Sequence, residues 1–476
     1  MKIKVVGAAG GEVTGSAYFV QTERAKVLVD AGMFQGGRKS EARNRLPSGV
    51  NLSQLDVVLL THAHLDHTGR LPLLIKHGYS GRVFATSATI ELAELILQDS
   101  ARLQAQDAER INRTRNFSAQ GPVEPLYGPE HVAPFRQMAH AIPFREPVEV
   151  ADGISARWIE AGHILGSASI ELTVQEDDRE WIVVFSGDLG PTGRPIVRDF
   201  DCLRHADIAF LESTYGDRDH RSYSETVAEF EDLVKRASEA RGKILVPTFA
   251  IGRAQQILYH LAIMFHRGLV KPFHVYLDSP MAIEASKKMA AHLELFDEEL
   301  LEWKSRGLLP LDQAWFHASV TGRDSQSLND VEGPCLILAG AGMCNGGRIL
   351  HHLRHGLRLD TTHVLLVGYQ AKGSVGRRLV EGAKSVLIFG EKVPVRANIN
   401  TLGGFSAHAG QSDLLKWVAP LAASRPRIIL THGEDAPRKN LAAAIQQRFN
   451  LRSQLPSQGD VIEMSRFLTA SPGLAS

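Results

Sequence analysis

Short apolar runs, some of them alternating with polar residues, predict strands in the first part of the chain. The predicted strands are Ile3–Gly7, Ser16–Gln21, Lys26–Asp30 and Val57–Thr61. Helical spacing of apolar residues follows at Leu71–His77 and Ala88–Asp107, and a connection rich in Pro and Gly covers Gln120–Pro134. Strands return at Ala156–Glu160, Ser169–Val174 and Trp181–Ser186. This order is typical of a layered α/β domain.

From about Tyr215 the pattern changes to regular alternation of strands and helices. Strands are predicted at Lys243–Pro247, Phe273–Leu277, Cys335–Ala339, His363–Val367 and Ser385–Phe389, and helices at Arg253–His266 and Ala282–Leu293. Such alternation predicts a mainly parallel sheet in a second α/β domain.

Near Val393 the earlier pattern resumes, so we interpret the second domain as an insertion into the first. The returning elements are Val395–Leu402, a helix at Ser412–Val418, Arg427–His432 and a helix from Arg438. The predicted domains are residues 1–212 and 394–470 for the split domain and 213–393 for the insertion.

The composition indicates a globular protein but does not identify its binding partner. Hydrophobic residues make up 44% and charged residues 22% of the 476 positions, as in globular proteins. The 53 basic and 53 acidic residues cancel, so a polyanionic partner would need a local basic patch. The cysteines Cys202, Cys335 and Cys344 form no CxxC pair, and no signal peptide or membrane span is recognisable. We therefore expect a cytoplasmic protein without a membrane partner.

The densest chemical signal is the segment Thr-His-Ala-His-Leu-Asp-His, which directly follows a predicted buried strand. It places His62, His64, Asp66 and His67 within six positions. His62 and His64 are two residues apart and can point toward one ion, while Asp66 and His67 wrap around toward a second. Imidazole and carboxylate ligands suit zinc, although manganese or iron tolerates a similar set.

Further candidate ligands lie where other predicted strands end. These are Asp30, His163, Asp188 and His432. Each could equally be an ordinary turn or surface residue when considered alone. Together with the histidine-rich segment, they predict a centre for two metal ions, which requires a bridging carboxylate.

These segments resemble the metallo-β-lactamase superfamily and, more narrowly, its β-CASP ribonuclease branch, over nearly the whole chain. The resemblance rests on Leu-Val-Asp-Ala-Gly, the His62–His67 segment, Ala-Gly-His-Ile-Leu-Gly-Ser, Phe-Ser-Gly-Asp-Leu-Gly, Leu-Glu-Ser-Thr-Tyr-Gly, Gly-Phe-Ser-Ala-His and Thr-His-Gly-Glu. The chain is similar to the endonuclease subunit of the cleavage and polyadenylation specificity factor and its prokaryotic relatives. The implied fold is an αββα sandwich split by the α/β β-CASP domain.

The resemblance also implies roles for individual residues. His62, His64 and His163 would hold one Zn²⁺, Asp66, His67 and His432 would hold the other, and Asp188 would bridge them. Asp30 would lie behind the ligands and fix one of the imidazoles.

The expected reaction is hydrolysis of an RNA phosphodiester bond by a metal-bridging hydroxide. The departing sugar oxygen needs an acid, for which His408 is the candidate, with Glu212 orienting and charging it. Asp66 counts among the catalytic residues as well as the ligands. A buried His408–Glu212 pair that only braces the domain junction is the alternative.

Two Gly-rich basic segments of the inserted domain are candidates for holding RNA. They contribute Arg348, Lys372, Ser374 and Arg377. Backbone amides at helix starts and guanidinium groups suit phosphates, although a charged helix face is often merely solvated.

Single-stranded RNA is the expected partner, two Zn²⁺ the expected cofactors with Mn²⁺ as a substitute, and a homodimer a possible assembly. Alternatives are a non-catalytic RNA-binding scaffold, a 5′-exonuclease and a DNA-directed nuclease of the same fold. The complete ligand set argues against the scaffold. His432 argues against DNA, because family members that act on DNA generally carry an apolar residue there.

Overall fold

The computed structural model describes residues 1–464 except 37–39, 41, 115–121, 177, 369, 371 and 372. Its strands are β1 Lys2–Val5, β2 Tyr18–Gln21, β3 Lys26–Val29, β4 Val57–Leu59, β5 Arg82–Ala85, β6 Ala139–Ala141, β7 Val148–Ala151, β8 Ile154–Glu160, β9 Ala168–Glu176, β10 Arg179–Phe185, β11 Ile208–Glu212, β12 Lys243–Pro247, β13 His274–Asp278, β14 Phe316–Ala318, β15 Cys335–Ala339, β16 Thr362–Leu366, β17 Ser385–Ile388, β18 Glu391–Pro394, β19 Asn398–Thr401, β20 Arg427–Thr431, β21 Ser453–Gln454 and β22 Val461–Glu463.

Most of the α-helices lie in sequence between β4 and β6 and between β11 and β17. The α-helices are α1 Leu65–Thr68, α2 Leu71–Lys76, α3 Ser87–Thr114, α4 Pro129–Val132, α5 Phe135–Met138, α6 Tyr223–Glu239, α7 Arg253–His266, α8 Pro280–Ala291, α9 Glu298–Ser305, α10 Gly322–Ser327, α11 Ile349–Gly356, α12 Val375–Val380, α13 Gln411–Val418 and α14 Asp435–Phe449.

The chain divides into two compact units. Unit 1 comprises Met1–Gly193, Asp199–Asp219 and the chain from His408 onward, and unit 2 comprises Arg194–Arg198 and His220–Ala407. Unit 2 therefore interrupts unit 1 in sequence, as an inserted domain does.

Unit 1 is built on two sheets whose inner faces share one hydrophobic core. The strand orders are β22-β1-β2-β3-β4-β5-β6 and β21-β20-β11-β10-β9-β8-β7 among the described residues. Val27 and Val29 of β3 lie in the same core as Val183 and Phe185 of β10. Because strand side chains alternate between faces, these residues mark the faces on which the sheets pack together.

The outer faces of both sheets are covered by helices. Val184 of β10 and Leu211 of β11 point away from the shared core and pack with Trp417 of α13 and Leu441 of α14. On the other side, α5 contacts β5 and α3 contacts β6. Strands that are buried on both faces have continuous apolar sequences. The order of layers, helices, sheet, sheet and helices, confirms the predicted αββα sandwich.

Unit 2 contains a sheet in which every pairing is parallel, in the order β14-β13-β15-β12-β16-β19. Ile244 and Val246 of β12 face one core that includes α6 and α7, and Leu245 faces a second that includes α11. This confirms the predicted α/β insertion with a mainly parallel sheet.

Several elements differ from the sequence prediction. β11, which ends in Glu212, was not predicted at all. The segment predicted at Val395–Leu402 begins after β18 and forms β19. This strand pairs with β16 in the sheet of unit 2. Among the described residues, no helix has the length and apolar character required to cross a membrane.

Candidate metal centre

The histidine-rich segment leaves β4 and turns directly into the short helix α1. His64 is the N-cap of α1, and Asp66 and His67 lie within its single turn. Two backbone hydrogen bonds fix the position of this turn. The Ser16 amide donates to the Asp66 carbonyl at 2.9 Å, and the Ala31 amide donates to the His67 carbonyl at 2.8 Å.

Two glycines allow loops to approach closely enough to build the centre. A Cβ on Gly32 would lie 1.6 Å from the Asp66 carbonyl oxygen, and one on Gly190 would lie 1.8 Å from the carbonyl oxygen of Gly162, next to His163. Only a residue without a side chain fits at either position.

The first group of ligand atoms comes from His62, His64, His163 and Asp188. His64 Nδ1 lies 3.2 Å from His62 Nε2 and 3.1 Å from His163 Nε2. Asp188 Oδ2 lies 3.5 Å from His62 Nε2 and 3.7 Å from His163 Nε2. Ligand atoms placed tetrahedrally around one Zn²⁺ are about 3.3 Å apart, so these spacings fit one ion.

The second group comes from Asp66, His67, His432 and the same Asp188. His67 Nε2 lies 3.3 Å from His432 Nε2 and 3.2 Å from Asp188 Oδ1. His432 Nε2 lies 3.5 Å from both Asp66 Oδ2 and Asp188 Oδ1. Asp188 thus offers Oδ2 to the first group and Oδ1 to the second, which is the arrangement a bridging carboxylate needs.

The electrostatics of the centre also fit divalent cations. Asp188 is 2% exposed, and its Oδ1 faces His67 Nε2 at 3.2 Å without a well-aligned hydrogen bond from any described residue. Burial opposes its ionisation, but His432, His67 and His62 outweigh burial and hold the pKa of Asp188 well below its usual range. Burial lowers the pKa of His62 and His64, so both imidazoles are neutral and able to ligate. A buried carboxylate beside the neutral imidazoles of His62 and His64 is suited to binding a divalent metal ion.

His67 is oriented by Asp30, which follows β3. Asp30 is 1% exposed, and its Oδ2 lies 2.7 Å from His67 Nδ1. The Thr61 amide donates to Asp30 Oδ1 at 2.8 Å, and the Thr61 hydroxyl donates to Oδ2 at 2.9 Å. Asp30 therefore contacts the Nδ1 side of His67 and orients the imidazole so that Nε2 points toward Asp188.

His408 and Glu212 lie beside the ligands within unit 1. His408 Nδ1 is 3.3 Å from Glu212 Oε1 and 3.9 Å from Asp188 Oδ2. Glu212 is 1% exposed and also accepts from the amides of Leu189 and Thr214, at 2.8 and 3.2 Å. Burial disfavours the charged imidazole, but Glu212, followed by Asp188 and Asp66, outweighs it and raises the pKa of His408 to about 9. His408 is a quarter exposed, so it can reach a bound molecule.

Three of the four predicted RNA contacts are described, and these three belong to unit 2. Arg348 donates through Nη1 to the buried Asp278 at 2.7 Å and to the Ser319 carbonyl at 3.0 Å. Ser374 is buried and caps α12 by accepting from the Arg377 amide at 3.0 Å. Arg377 forms an ion pair with Glu381 at 2.7 Å. Lys372 lies outside the described residues.

Asp278 explains why Arg348 points inward. Its carboxylate also accepts from Ser319, Ser325 and His352, at 2.7, 2.6 and 2.7 Å. Burial opposes ionisation, but the hydrogen bonds, that of His352 foremost, lower the pKa of Asp278 to about 2. His352 is thus a buried structural partner and not part of a basic surface.

Family models match most of the chain. Residues 10–247 match the metallo-beta-lactamase superfamily, residues 254–379 match the Beta-Casp domain, and residues 392–456 match the Zn-dependent metallo-hydrolase RNA specificity domain. The chain belongs to the metallo-β-lactamase superfamily, in its β-CASP branch.

Particular relatives are similar over most of the chain. Ribonuclease TTHA0252 of Thermus thermophilus is 40% identical over 98% of this chain and 99% of its own. Transcription termination factor FttA of Cenarchaeum symbiosum is 32% identical over 95% of this chain and 70% of its own. A solved structure, a protein of unknown function from Enterococcus faecalis V583, shares the fold with a TM-score of 0.54 and 13% identity, covering 97% of this chain and 99% of its own.

Proposed function

We propose that this chain is a metal-dependent ribonuclease that hydrolyses single-stranded RNA at internal phosphodiester bonds with two Zn²⁺ ions. The observation that carries the proposal is the sharing of Asp188 between two complete ligand groups, with His408 beside the same carboxylate. The full-length similarity to a relative named as a ribonuclease and the match to an RNA specificity domain support RNA as the substrate.

The ligands divide into two sets with a common member. His62, His64 and His163 would hold one cation, Asp66, His67 and His432 the other, and Asp188 both. Divalent cations bound by these residues would supply Lewis acidity and would lower the pKa of a water for attack on phosphorus. The nitrogen and oxygen ligands favour Zn²⁺ and also tolerate Mn²⁺.

His408 supplies the proton that the departing sugar oxygen needs. Because Nδ1 hydrogen-bonds to Glu212, we assign proton delivery to Nε2. Glu212 keeps the imidazole charged, and its own hydrogen bonds to two amides fix its position. General acid catalysis of this kind contributes about 10²–10⁴-fold in rate.

RNA contacts outside the centre also belong to this proposal. Lys372 and Arg377 remain the candidates for binding phosphates, whereas the internal partners of Arg348 and Ser374 support a role in shaping the neighbouring loops. A homodimer and a cytoplasmic location stay predictions, and light scattering on the purified protein tests the first.

The experiment uses three uniformly labelled substrates: linear single-stranded RNA, the same RNA with a blocked 5′ end, and single-stranded DNA of the same sequence. We expect chelator-sensitive internal cleavage of both RNAs, little cleavage of DNA, and no cleavage by an Asp188→Asn variant purified in parallel. Elemental analysis should give about two zinc ions per chain.

Each other outcome would correct a different part of the proposal. Loss of cleavage on the blocked RNA would indicate a 5′-exonuclease. Faster cleavage of DNA would reassign the substrate. RNA binding without cleavage in zinc-loaded protein would leave a non-catalytic scaffold.

A further inference from the structure

His432 can serve as a ligand only in one of its two neutral forms. Its Nε2 faces His67 Nε2 at 3.3 Å and Asp188 Oδ1 at 3.5 Å, so this nitrogen must carry the lone pair and Nδ1 the proton. The group that hydrogen-bonds to Nδ1 decides which form is present. For His67 that group is the Asp30 carboxylate, but His432 has no carboxylate in that position among the contacts the structure records.

The partner of His432 is the hydroxyl of Thr214. Thr214 Oγ1 lies 3.1 Å from His432 Nδ1 and 3.2 Å from the carbonyl oxygen of the same histidine. A hydroxyl has one proton to donate, and the carbonyl oxygen can only accept. Both contacts are satisfied together when Thr214 donates to the carbonyl and accepts from Nδ1–H.

We propose that Thr214 is a positioning residue that fixes the tautomer and ring orientation of His432 for cation binding. The inference rests on the cation centre of the proposed function. It assigns to Thr214 a role that neither the ligand pattern nor the general-acid pair requires.

Thr214 is itself held in place by the turn that follows β11. Its amide donates to Glu212 Oε2 at 3.2 Å, and the preceding Ser213 donates from its amide to the His432 carbonyl at 3.2 Å and from its hydroxyl to the Thr431 carbonyl at 2.6 Å. The backbone of His432 is in the left-handed region, with φ of 50°, and its amide donates to the Ala8 carbonyl at 2.8 Å. One turn thus supports the ligand His432 through Thr214 and the acid His408 through Glu212.

The two imidazoles of the second cation set differ in the charge of their partners. The partner of His67 is the charged carboxylate of Asp30, whereas the partner of His432 is the neutral hydroxyl of Thr214. The contribution of Thr214 is therefore mainly the choice of tautomer and orientation.

The test compares Thr214→Val, which keeps the shape but loses the hydroxyl, with Thr214→Ser, which keeps it. Zinc affinity is measured by competition with a chelator on cation-free protein whose folding is checked by circular dichroism. In Thr214→Val, the zinc held by the group that contains His432 should bind about 10–100-fold more weakly. The zinc affinity of the group that contains His62 should change little. Thr214→Ser should stay close to wild type. Equal zinc affinity in wild type and Thr214→Val, or an equal loss in both variants, would overturn the proposal.

A second measurement does not depend on any variant. Nitrogen-15 NMR of the cation-free wild-type protein, with labelled histidine, should detect the proton of His432 on Nδ1, and a proton on Nε2 alone would overturn the proposal. A wild-type chain that binds fewer than two cations would count against the proposed function instead, while the NMR result would still decide the role of Thr214.

Discussion

Replacing Glu212 by Gln tests whether the His408–Glu212 pair acts as a general acid. Glutamine keeps the size of the side chain and one oxygen for the Leu189 amide, but it removes the charge that faces His408 Nδ1 at 3.3 Å. Glu212 is 1% exposed, so solvent cannot replace that charge. Burial, which disfavours the charged imidazole, then becomes the dominant influence on His408.

The expected effect follows from the pKa of His408. The raised value of about 9 applies to the chain without cations. Bound cations would offset the contributions of Asp188 and Asp66, which leaves the charge of Glu212 as the main influence that raises the pKa of His408. Without Glu212 the pKa of His408 falls. At pH 8 an imidazole with the ordinary pKa of about 6.5 is only about 3% protonated, so the variant should lose about 30-fold in rate relative to a fully protonated imidazole, and more if the pKa falls further.

The assay is a pH profile of RNA cleavage under single-turnover conditions between pH 6 and pH 9.5. The reaction requires the protonated imidazole, so activity falls as pH rises through the pKa of His408. Wild type should keep its activity to a higher pH than Glu212→Gln, and the two should converge toward pH 6. The loss should shrink on a nitrophenyl phosphodiester, whose leaving group needs no proton.

His408→Ala is the matched variant, and it should lose roughly 10²–10⁴-fold on RNA while keeping both cations. The double variant should be little worse than His408→Ala, because the two residues act as a unit. An unshifted pH profile in Glu212→Gln, or equal losses of His408→Ala on RNA and on the nitrophenyl substrate, would refute the assignment.

Three further predictions concern the cations and the frame around them. His432→Ala should lower zinc content by elemental analysis and regain part of its activity in excess Zn²⁺ or Mn²⁺, since it removes a ligand and not the acid. Gly32→Ala should also lower zinc content, because its Cβ would lie 1.6 Å from a carbonyl of the ligand loop; unchanged content would mean that this loop shifts freely. Arg348→Met should cost about 2–3 kcal/mol of unfolding free energy in urea by removing a charged partner of a buried carboxylate, whereas Arg354→Met, which breaks an exposed ion pair, should cost at most about 1 kcal/mol.

The ligands differ in how far the sequence alone predicts them. His62, His64, Asp66 and His67 are dense in sequence and follow an apolar strand, so local spacing suffices to predict a metal site. His163, Asp188 and His432 are isolated strand-end residues. Their convergence depends on sheet order, which places β20 next to β11 and β11 next to β10. The sequence indicated it only through their positions at predicted strand ends, and the family resemblance assigned each residue to an ion.

Arg348 shows the limit of local pattern. An arginine after a Gly-rich turn looks the same whether its partner is a phosphate or a carboxylate, and Asp278 lies 70 residues away in sequence. Thr61 and Thr214 carry even less signal, because hydroxyl residues are common at strand ends and their partners are determined by tertiary structure. β11 was not predicted, although β15, which has the same length and is also fully buried, was predicted from its apolar run.

The position of unit 2 within the sequence has a consequence for the order in which the centre can form during synthesis. The ligands of the first cation group are complete once Asp188 has been added, but the second group waits for His432. About 240 residues separate the two, which at 5–20 residues per second takes roughly 12–50 seconds of translation. A nascent chain therefore lacks both His408 and the last member of the second candidate ligand group until unit 2 has been synthesised.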